Sequence, residues 1–220
     1  MTASRLPAPP EAAREPDPNQ DLEPLTLSWD SCVSRALVHR NAVAEVLLTD
    51  ARALSDGHFL LAAQWPRSYT TSATSDSGTA ATEHHDPMLA AETIRQVGLY
   101  ICQKFLGAPN TSRPVIRNVG FQIDNSAEPV VGYGATDVLC RAEVFDVRHL
   151  NDVPYPVALS VRLQFSAAGR EFGSAVGRVR VLSDREYEVF RGPNAAAAPV
   201  PGTVHGRPSP AEVSVPSPAT

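Results

Sequence analysis

The spacing of apolar residues changes along the chain and separates one helix from a group of strands. From Leu89 to Phe105 apolar residues recur at helical spacing, and Asp86 followed by Pro87 is typical of a helix start. After this helix, apolar and polar residues alternate, as expected for strands with one solvated face. The alternating segments are residues 115–123, 138–147, 157–165 and 175–182.

The first alternating segment shows the pattern and its expected consequence. Val119, Phe121 and Ile123 fall at alternate positions, which puts Ile116 on the opposite, polar face. Residues 167–170, which include a glycine, predict a hairpin turn between the last two strands. Because two apolar segments also precede the helix, we expect an α+β domain in which an antiparallel sheet wraps around a long central helix.

The two ends of the chain differ in composition from its middle. Residues 1–24 are rich in proline and acidic residues, and residues 193–220 consist mostly of Ala, Pro, Ser and Val. We predict that both ends are disordered tails and that residues 25–192 form a single domain. Residues 70–84, just before the helix, are mostly small and polar and predict a long loop.

Composition limits the function classes. A net charge of −5 without a basic cluster argues against nucleic acid as a partner. Neither a membrane span nor a secretory leader is expected, and the three cysteines lack a CxxC, so we predict buried thiols and a cytoplasmic location. The His, Cys and carboxylate residues do not have metal-site spacing, so we expect no metal and no other cofactor.

One face of the predicted helix carries a group of polar residues. Glu92 and Gln96 stand four positions apart and Arg95 stands three from Glu92, so their side chains converge. An ordinary surface ion pair between Glu92 and Arg95 is the simpler interpretation. Apolar residues on both sides of this face favour enclosure, and an enclosed carboxylate needs partners and can act as a general base.

Three segments of the chain resemble a known family. They are VHRNAVAEVLLTD at 38–50, FLLAAQWPRSYT at 59–70 and DPMLAAETIRQVGL at 86–99. They occur in the same order in the A-factor biosynthesis family, the hotdog-fold proteins that make gamma-butyrolactone signals. The segment SDREYEVFRG at 183–192 resembles the end of the family's first repeat. The resemblance covers residues 36–192 and implies a hotdog fold.

The family carries two hotdog repeats in tandem, and this sequence matches the first of them. The resemblance therefore identifies the chain as a single-repeat member. A single hotdog sheet leaves an edge strand and one side of its helix uncovered. A homodimer, or association with a related hotdog protein, is the expected solution.

The resemblance also implies a reaction and roles for residues in it. The reaction is transfer of a β-ketoacyl chain from an acyl carrier protein or acyl-CoA thioester to a hydroxyl of dihydroxyacetone phosphate. Glu92 is then the base, and Arg95 or Arg67 meets the phosphate. Gln96, or a backbone N–H at the helix start, faces the thioester carbonyl. The expected catalytic group is thus Glu92, Gln96 and Arg95.

Further residues are expected around the substrate. Gln64 and Trp65 line the acyl pocket in this interpretation, or else belong to a core strand that ends at the next residue. His84 and His85 precede the helix where hotdog dehydratases carry a catalytic histidine, so His85 is a substrate-binding candidate, although a solvated histidine pair is the commoner case. His39 either makes a structural hydrogen bond or binds substrate.

Three functions follow from the sequence. The first is an acyltransferase of gamma-butyrolactone or butenolide signal synthesis, which would link the chain to regulation of secondary metabolism. The second is a hotdog thioesterase or dehydratase acting on acyl thioesters. The third is a non-catalytic partner of a full-length relative.

Overall fold

The computed structural model describes residues 26–72 and 83–192. Two short 3₁₀ turns, at residues 35–38 and 43–45, precede the main elements. The strands and helices in chain order are β1 Leu48–Ser55, β2 His58–Trp65, β3 Thr70–Ser72, β4 Glu83–His85, α1 Met88–Lys104, β5 Arg113–Ile123, β6 Thr136–Arg148, β7 Ala158–Ala167, β8 Arg170–Leu182 and α2 Asp184–Arg191.

Six strands form one antiparallel sheet around α1. Their order is β1-β2-β6-β7-β8-β5, so β1 and β5 are its edges. The apolar stripe of α1 is fully buried, with Ile94, Val97 and Ile101 at 0% exposure, and α1 contacts strands from both ends of the sheet. This arrangement confirms the predicted hotdog fold, in which four strands follow the central helix.

Glycines allow α1 to lie close to the sheet. A Cβ atom on Gly98 would lie 2.8 Å from Val179 Cγ2, and one on Gly177 would lie 3.3 Å from Ile94 Cδ1. Larger side chains at these positions would push the helix outward, because a packed core has little room for added atoms. The close packing at Gly98 and Gly177 therefore sets the distance between α1 and the sheet, and with it the distance between the polar face of α1 and edge strand β5.

The alternation predicted for β5 is wrong at its first half, because the strand contains a β-bulge. Its register against β8 slips between Arg117 and Gly120, and Asn118 lies there with φ of 52°. The extra residue reverses the faces of the strand on either side of it. Ile116 therefore shares the core-facing side with Phe121, since their partners on β8, Val179 and Ala175, are both buried.

Two other segments contain more regular structure than expected. The segment predicted as a loop over residues 70–84 holds β3 and β4, which pair antiparallel with Thr71 opposite His84. Ser183 accepts a hydrogen bond from the Glu186 N–H in a capping box that begins α2, a Ser-x-x-Glu signal readable from the sequence. The predicted tails at 1–24 and 193–220 lie outside the described residues.

The three cysteines occupy different environments. Cys102 and Cys140 are buried free thiols, as expected, and burial raises the pKa of Cys102 to about 12. Cys32 is exposed, so the expectation of a buried thiol is wrong there. It lies in the segment before β1.

Membrane spans and metal sites were both expected to be absent. Within residues 26–72 and 83–192, no helix is long and apolar enough to cross a membrane. In the same part of the chain, no group of three or more His, Cys, Asp or Glu residues is placed to hold a metal ion.

Candidate active site

The first turn of α1 is fixed by the residues just before it. The Asp86 carboxylate accepts a hydrogen bond from the Met88 N–H at 2.8 Å, and its carbonyl accepts one from the Leu89 N–H at 2.9 Å. The Ala90 N–H donates to the Pro87 carbonyl at 3.1 Å. The predicted capping role of Asp86 is confirmed. These backbone donors are thereby occupied, which disfavours the expected contact between the helix start and a thioester carbonyl.

Glu92 is the centre of a polar cluster one turn further along α1. Its Oε1 accepts hydrogen bonds from Arg40 Nε at 3.0 Å, Arg95 Nη1 at 3.1 Å and Gln96 Nε2 at 2.7 Å. Its Oε2 contacts the Nη2 of Arg40. The side chain of Glu92 is 23% exposed. Oε1 therefore accepts three hydrogen bonds, while Oε2 has a lone pair left to accept a hydrogen bond from another donor.

Gln96 holds this cluster to the segment before β1. The residue is fully buried, and its Oε1 accepts a hydrogen bond from the Leu47 N–H at 2.9 Å. Its amide donates to the Glu45 carbonyl at 2.8 Å and to Glu92. Both amide protons are thus in use. These bonds favour a role in positioning Glu92 over the expected contact between Gln96 and the thioester carbonyl.

A cavity of about 550 Å³ opens beside Glu92. Its polar wall comes from α1 and from the segments before β1, β3 and α1, and its apolar wall comes from α1, β5 and the residues just before β1. The lining residues are Arg40, Ala44, Glu45, Leu47, Tyr69, Asp86, Met88, Leu89, Ala91, Glu92, Arg95, Ile116 and Val119. We call this space the acyl cavity. It combines an ionised cluster with enough apolar surface to hold a hydrocarbon chain.

The two arginines beside Glu92 differ in environment. The hydrogen bond to Glu92 raises the pKa of Arg40, whereas burial lowers the pKa of Arg95 despite the attraction of Glu92. Both guanidiniums remain protonated near neutral pH, because their ordinary pKa lies far above it. Glu92 therefore faces two positive charges, and Arg40 is also 3.7 Å from Glu45.

Two of the expected substrate-binding residues lie in the core. Trp65 and His85 are each 1% exposed, with their rings edge to face 5.6 Å apart. Trp65 Nε1 donates to Thr93 Oγ1 at 2.9 Å, and His85 Nε2 lies 2.7 Å from Thr136 Oγ1. Neither side chain lines the acyl cavity. The arrangement matches the alternative interpretation, a core strand ending at Pro66, since β2 runs as far as Trp65.

The other two expected residues point to a different surface. Gln64 Nε2 donates to Asp137 Oδ1 at 2.9 Å, and Arg67 Nη1 donates to the Tyr133 carbonyl at 3.4 Å. Neither lines the acyl cavity. Of the seven residues expected at the site, the structure brings Glu92, Arg95 and Gln96 together and separates Gln64, Trp65, Arg67 and His85 from them.

Several residues of the cavity were not singled out from the sequence, among them Arg40 and Tyr69. Arg40 follows His39 in the first family-like segment, and Tyr69 is the next-to-last residue of the second. Arg40 is 52 positions from Glu92 in the chain, so no local spacing links them. Their place in the segments that carry the resemblance was the available signal.

The histidines take structural positions. His84 Nδ1 lies 3.2 Å from Glu128 Oε2, away from the acyl cavity. His39 Nε2 lies 2.6 Å from the amide nitrogen of Gln103, which favours the structural interpretation of His39. Burial, with smaller contributions from Arg95 and Arg113, lowers the pKa of His39 to about 4.

The low pKa of His39 predicts a loss of stability in mild acid. In the unfolded chain the pKa of His39 is near 6.5. Between pH 6.5 and pH 4 the unfolded state therefore binds a proton that the folded state does not, and the free energy of unfolding decreases as the pH is lowered. The full loss from this residue is about 3 kcal/mol. Urea denaturation of the protein and of His39→Asn at pH 7, 5.5 and 4 measures this loss. His39 has a left-handed backbone with φ of 50°, which asparagine tolerates.

The variant isolates the contribution of His39 from that of other groups. Burial also lowers the pKa of His85, and both proteins retain that histidine. The stability advantage of the parent protein over His39→Asn should therefore shrink steadily from pH 7 to pH 4. A difference that stays constant over this range would contradict the prediction.

Comparisons with known proteins identify related sequences. A family model described as A-factor biosynthesis hotdog domain matches residues 27–183. A 2-oxo-3-(phosphooxy)propyl 3-oxoalkanoate synthase from Streptomyces virginiae is 33% identical over 177 residues. The alignment covers 77% of this chain and 55% of that enzyme. The chain thus spans about half the length of the curated relative it matches.

Solved structures are less similar. A fluoroacetyl-CoA thioesterase has a TM-score of 0.43 and 12% identity, with 63% of this chain and 96% of that chain covered. A hypothetical thioesterase with coenzyme A from Streptococcus pneumoniae has a TM-score of 0.41 and 12% identity, with 68% and 98% covered. The antiparallel sheet and central helix described above define the hotdog fold of the chain.

Proposed function

The chain belongs to the A-factor biosynthesis hotdog family, and from this premise we propose that it is an acyltransferase. The donor is a β-ketoacyl thioester of an acyl carrier protein or coenzyme A, and the acceptor is a hydroxyl of dihydroxyacetone phosphate. The ester that forms is the product named by the Streptomyces virginiae relative, a 2-oxo-3-(phosphooxy)propyl 3-oxoalkanoate. Such an ester is a precursor of gamma-butyrolactone or butenolide signals in this proposal.

The placement of Glu92 is the observation that carries the proposal. Its carboxylate stands on the wall of a cavity whose other wall includes Leu47, Leu89 and Ile116. Apolar walls suit an acyl chain. Among the described residues Oε2 contacts only Arg40, and it is the oxygen able to accept a proton from a substrate hydroxyl.

The proposed step moves one acyl group and one proton. Glu92 Oε2 takes the proton of the acceptor hydroxyl as its oxygen attacks the thioester carbonyl, and a C–O bond replaces the C–S bond. The carrier leaves as a thiolate and receives the proton from Glu92 as a thiol. Arg40 and Arg95, which flank the carboxylate, are the nearby cations for the oxyanion that forms on the carbonyl.

Mass spectrometry of the reaction products tests the proposed function. The protein is incubated with a β-ketoacyl thioester and dihydroxyacetone phosphate, and we expect the phosphorylated ester together with the free carrier thiol. Free β-keto acid formed equally fast without the acceptor would instead assign thioester hydrolysis. No turnover, combined with stable 1:1 association with a related hotdog protein, would assign the non-catalytic role.

A second hotdog unit is part of the proposal. Strand β5 lies at an edge of the sheet in the part of the chain that the structure describes, and its residues Ile116 and Val119 border the acyl cavity. An edge strand is a template for pairing, so we propose that another copy or a related hotdog protein pairs there. Sedimentation of a well-folded monomer at micromolar concentration would contradict self-association.

We propose that the reaction takes place in the cytoplasm. Cysteines without disulfide partners, here Cys32, Cys102 and Cys140, are typical of proteins in a reducing compartment.

A further inference from the structure

A second cavity of about 370 Å³ adjoins the acyl cavity. Arg95 and Ile116 line both spaces. The second cavity is formed where α1, β5 and α2 meet, and each of these elements contributes an arginine to it: Arg95, Arg113 and Arg191. We call it the arginine cavity. None of the described residues that line it is acidic.

The aromatic ring of Tyr187 organises two of these arginines. The guanidinium carbon of Arg113 lies 5.2 Å from the ring centroid and that of Arg191 lies 5.8 Å from it. Both distances are within the range of cation–π attraction. Tyr187 thus brings together two guanidiniums that would otherwise repel each other.

The carboxylates near these arginines leave much of the positive charge available. Asp184 Oδ1 lies 3.4 Å from Arg113 Nε, but its side chain is 71% exposed and does not line the cavity. Glu92 pairs with Arg95 from the acyl cavity side and is shared with Arg40. The wall residue His39 has its pKa lowered partly by Arg95 and Arg113, as expected beside unbalanced positive charge.

We propose that the arginine cavity binds a phosphate group of the substrate. Arg113 and Arg191 are the main phosphate ligands in this proposal. Arg95 lines both cavities and lies between the phosphate site and Glu92. A guanidinium presents paired N–H donors that match phosphate oxygens, and a phosphate dianion supplies the charge that the wall lacks. This inference rests on the proposed function for the identity of the substrate, since the phosphate belongs either to the acceptor or to the pantetheine arm of the carrier.

Calorimetric titration with inorganic phosphate tests the site without turnover. We expect Arg113→Gln/Arg191→Gln to raise the dissociation constant at least about tenfold. The control Arg162→Gln/Arg178→Gln removes the same charge at exposed positions of the sheet, where the arginines pair with Glu143 and Asp146. Equal affinity of the two double variants for phosphate would overturn the proposal.

A single variant and a spectroscopic measurement keep the proposal testable if the double variant does not fold. Arg191 is exposed, so Arg191→Gln is expected to fold normally and to weaken phosphate binding by a smaller factor in the same direction. In the parent protein, phosphate should shift the imidazole resonances of His39, and in the double variant it should not. Unchanged His39 resonances in the parent protein at saturating phosphate would place the anion elsewhere and overturn the proposal.

The source of the phosphate is resolved by paired ligands. Dihydroxyacetone phosphate is compared with dihydroxyacetone, and a coenzyme A thioester with the matching N-acetylcysteamine thioester. Loss of affinity in Arg113→Gln/Arg191→Gln for only the phosphorylated member of one pair supports the site and identifies its source. Equal effects on phosphorylated and phosphate-free ligands overturn it.

Failure of this inference can be separated from failure of the proposed function. Phosphate binding that depends on Arg113 and Arg191, without any ester formation, would overturn the acyltransferase proposal alone. Ester formation by Arg113→Gln/Arg191→Gln with unchanged KM for both substrates would overturn the phosphate site alone.

Discussion

Replacing Glu92 by glutamine is expected to lower turnover by about a hundredfold or more. The amide has nearly the same shape as the carboxylate and its oxygen can still accept a hydrogen bond from Gln96 Nε2, so the fold is retained. It cannot take a proton from a hydroxyl near neutral pH. The measurement is the rate of ester formation per folded molecule, with folding followed by thermal melting on the same preparation.

The alternative role of Glu92 predicts a different result. If Glu92 serves only to neutralise Arg40 and Arg95, the substitution should lower stability by about 1 to 3 kcal/mol and leave activity per folded molecule intact. Glu45→Gln is the matched control, since Glu45 lines the same cavity and lies 3.7 Å from Arg40. A destabilised but fully active Glu92→Gln variant would remove the proposed base and favour the non-catalytic function.

Replacing Gln96 by leucine is expected to destabilise the protein by about 3 kcal/mol or more. Leucine has a similar volume but makes none of the three hydrogen bonds of Gln96, so the Leu47 N–H and the Glu45 carbonyl lose their partner. Glu92 also loses a donor. Chemical denaturation at pH 7 measures the change in the free energy of unfolding.

Gln103→Leu provides a control on the same helix. Gln103 is also buried, but its amide contacts only the side chain of His39 among the described hydrogen bonds. We expect this variant to lose about 1 kcal/mol. Equal destabilisation of the two variants would show that Gln96 is an ordinary buried amide and would withdraw its positioning role.

The polar face of α1 could be read from the sequence because its chemistry is local. Residues four and three positions apart on a helix must share a face, and Glu92, Gln96 and Arg95 do make the predicted contacts. The start of the helix just after Asp86 and the presence of strands on either side of it were predictable for the same reason, since capping and alternation depend on neighbouring residues. The family-like segments added the expected reaction.

The bulge in β5 determines which of its side chains line the cavities, and the alternation of apolar and polar residues in the sequence did not predict it. A strict alternation places Ile116 on the polar face, but the extra residue near Asn118 turns it toward the core side. Nothing in the local residue pattern fixes that slip, because it depends on how β5 aligns with β8. Ile116 consequently lines both cavities.

The sequence by itself determined the central helix, the polar group on its face and the family to which the chain belongs. Only the tertiary structure decided that Arg40 joins Glu92, that Trp65 and His85 are buried, and that Arg113 and Arg191 meet beside Arg95. Periodicity reports which side of its own element a residue occupies. Contacts between residues far apart in the chain depend on strand order, register and the depth at which a helix packs, and these are set by the whole core at once.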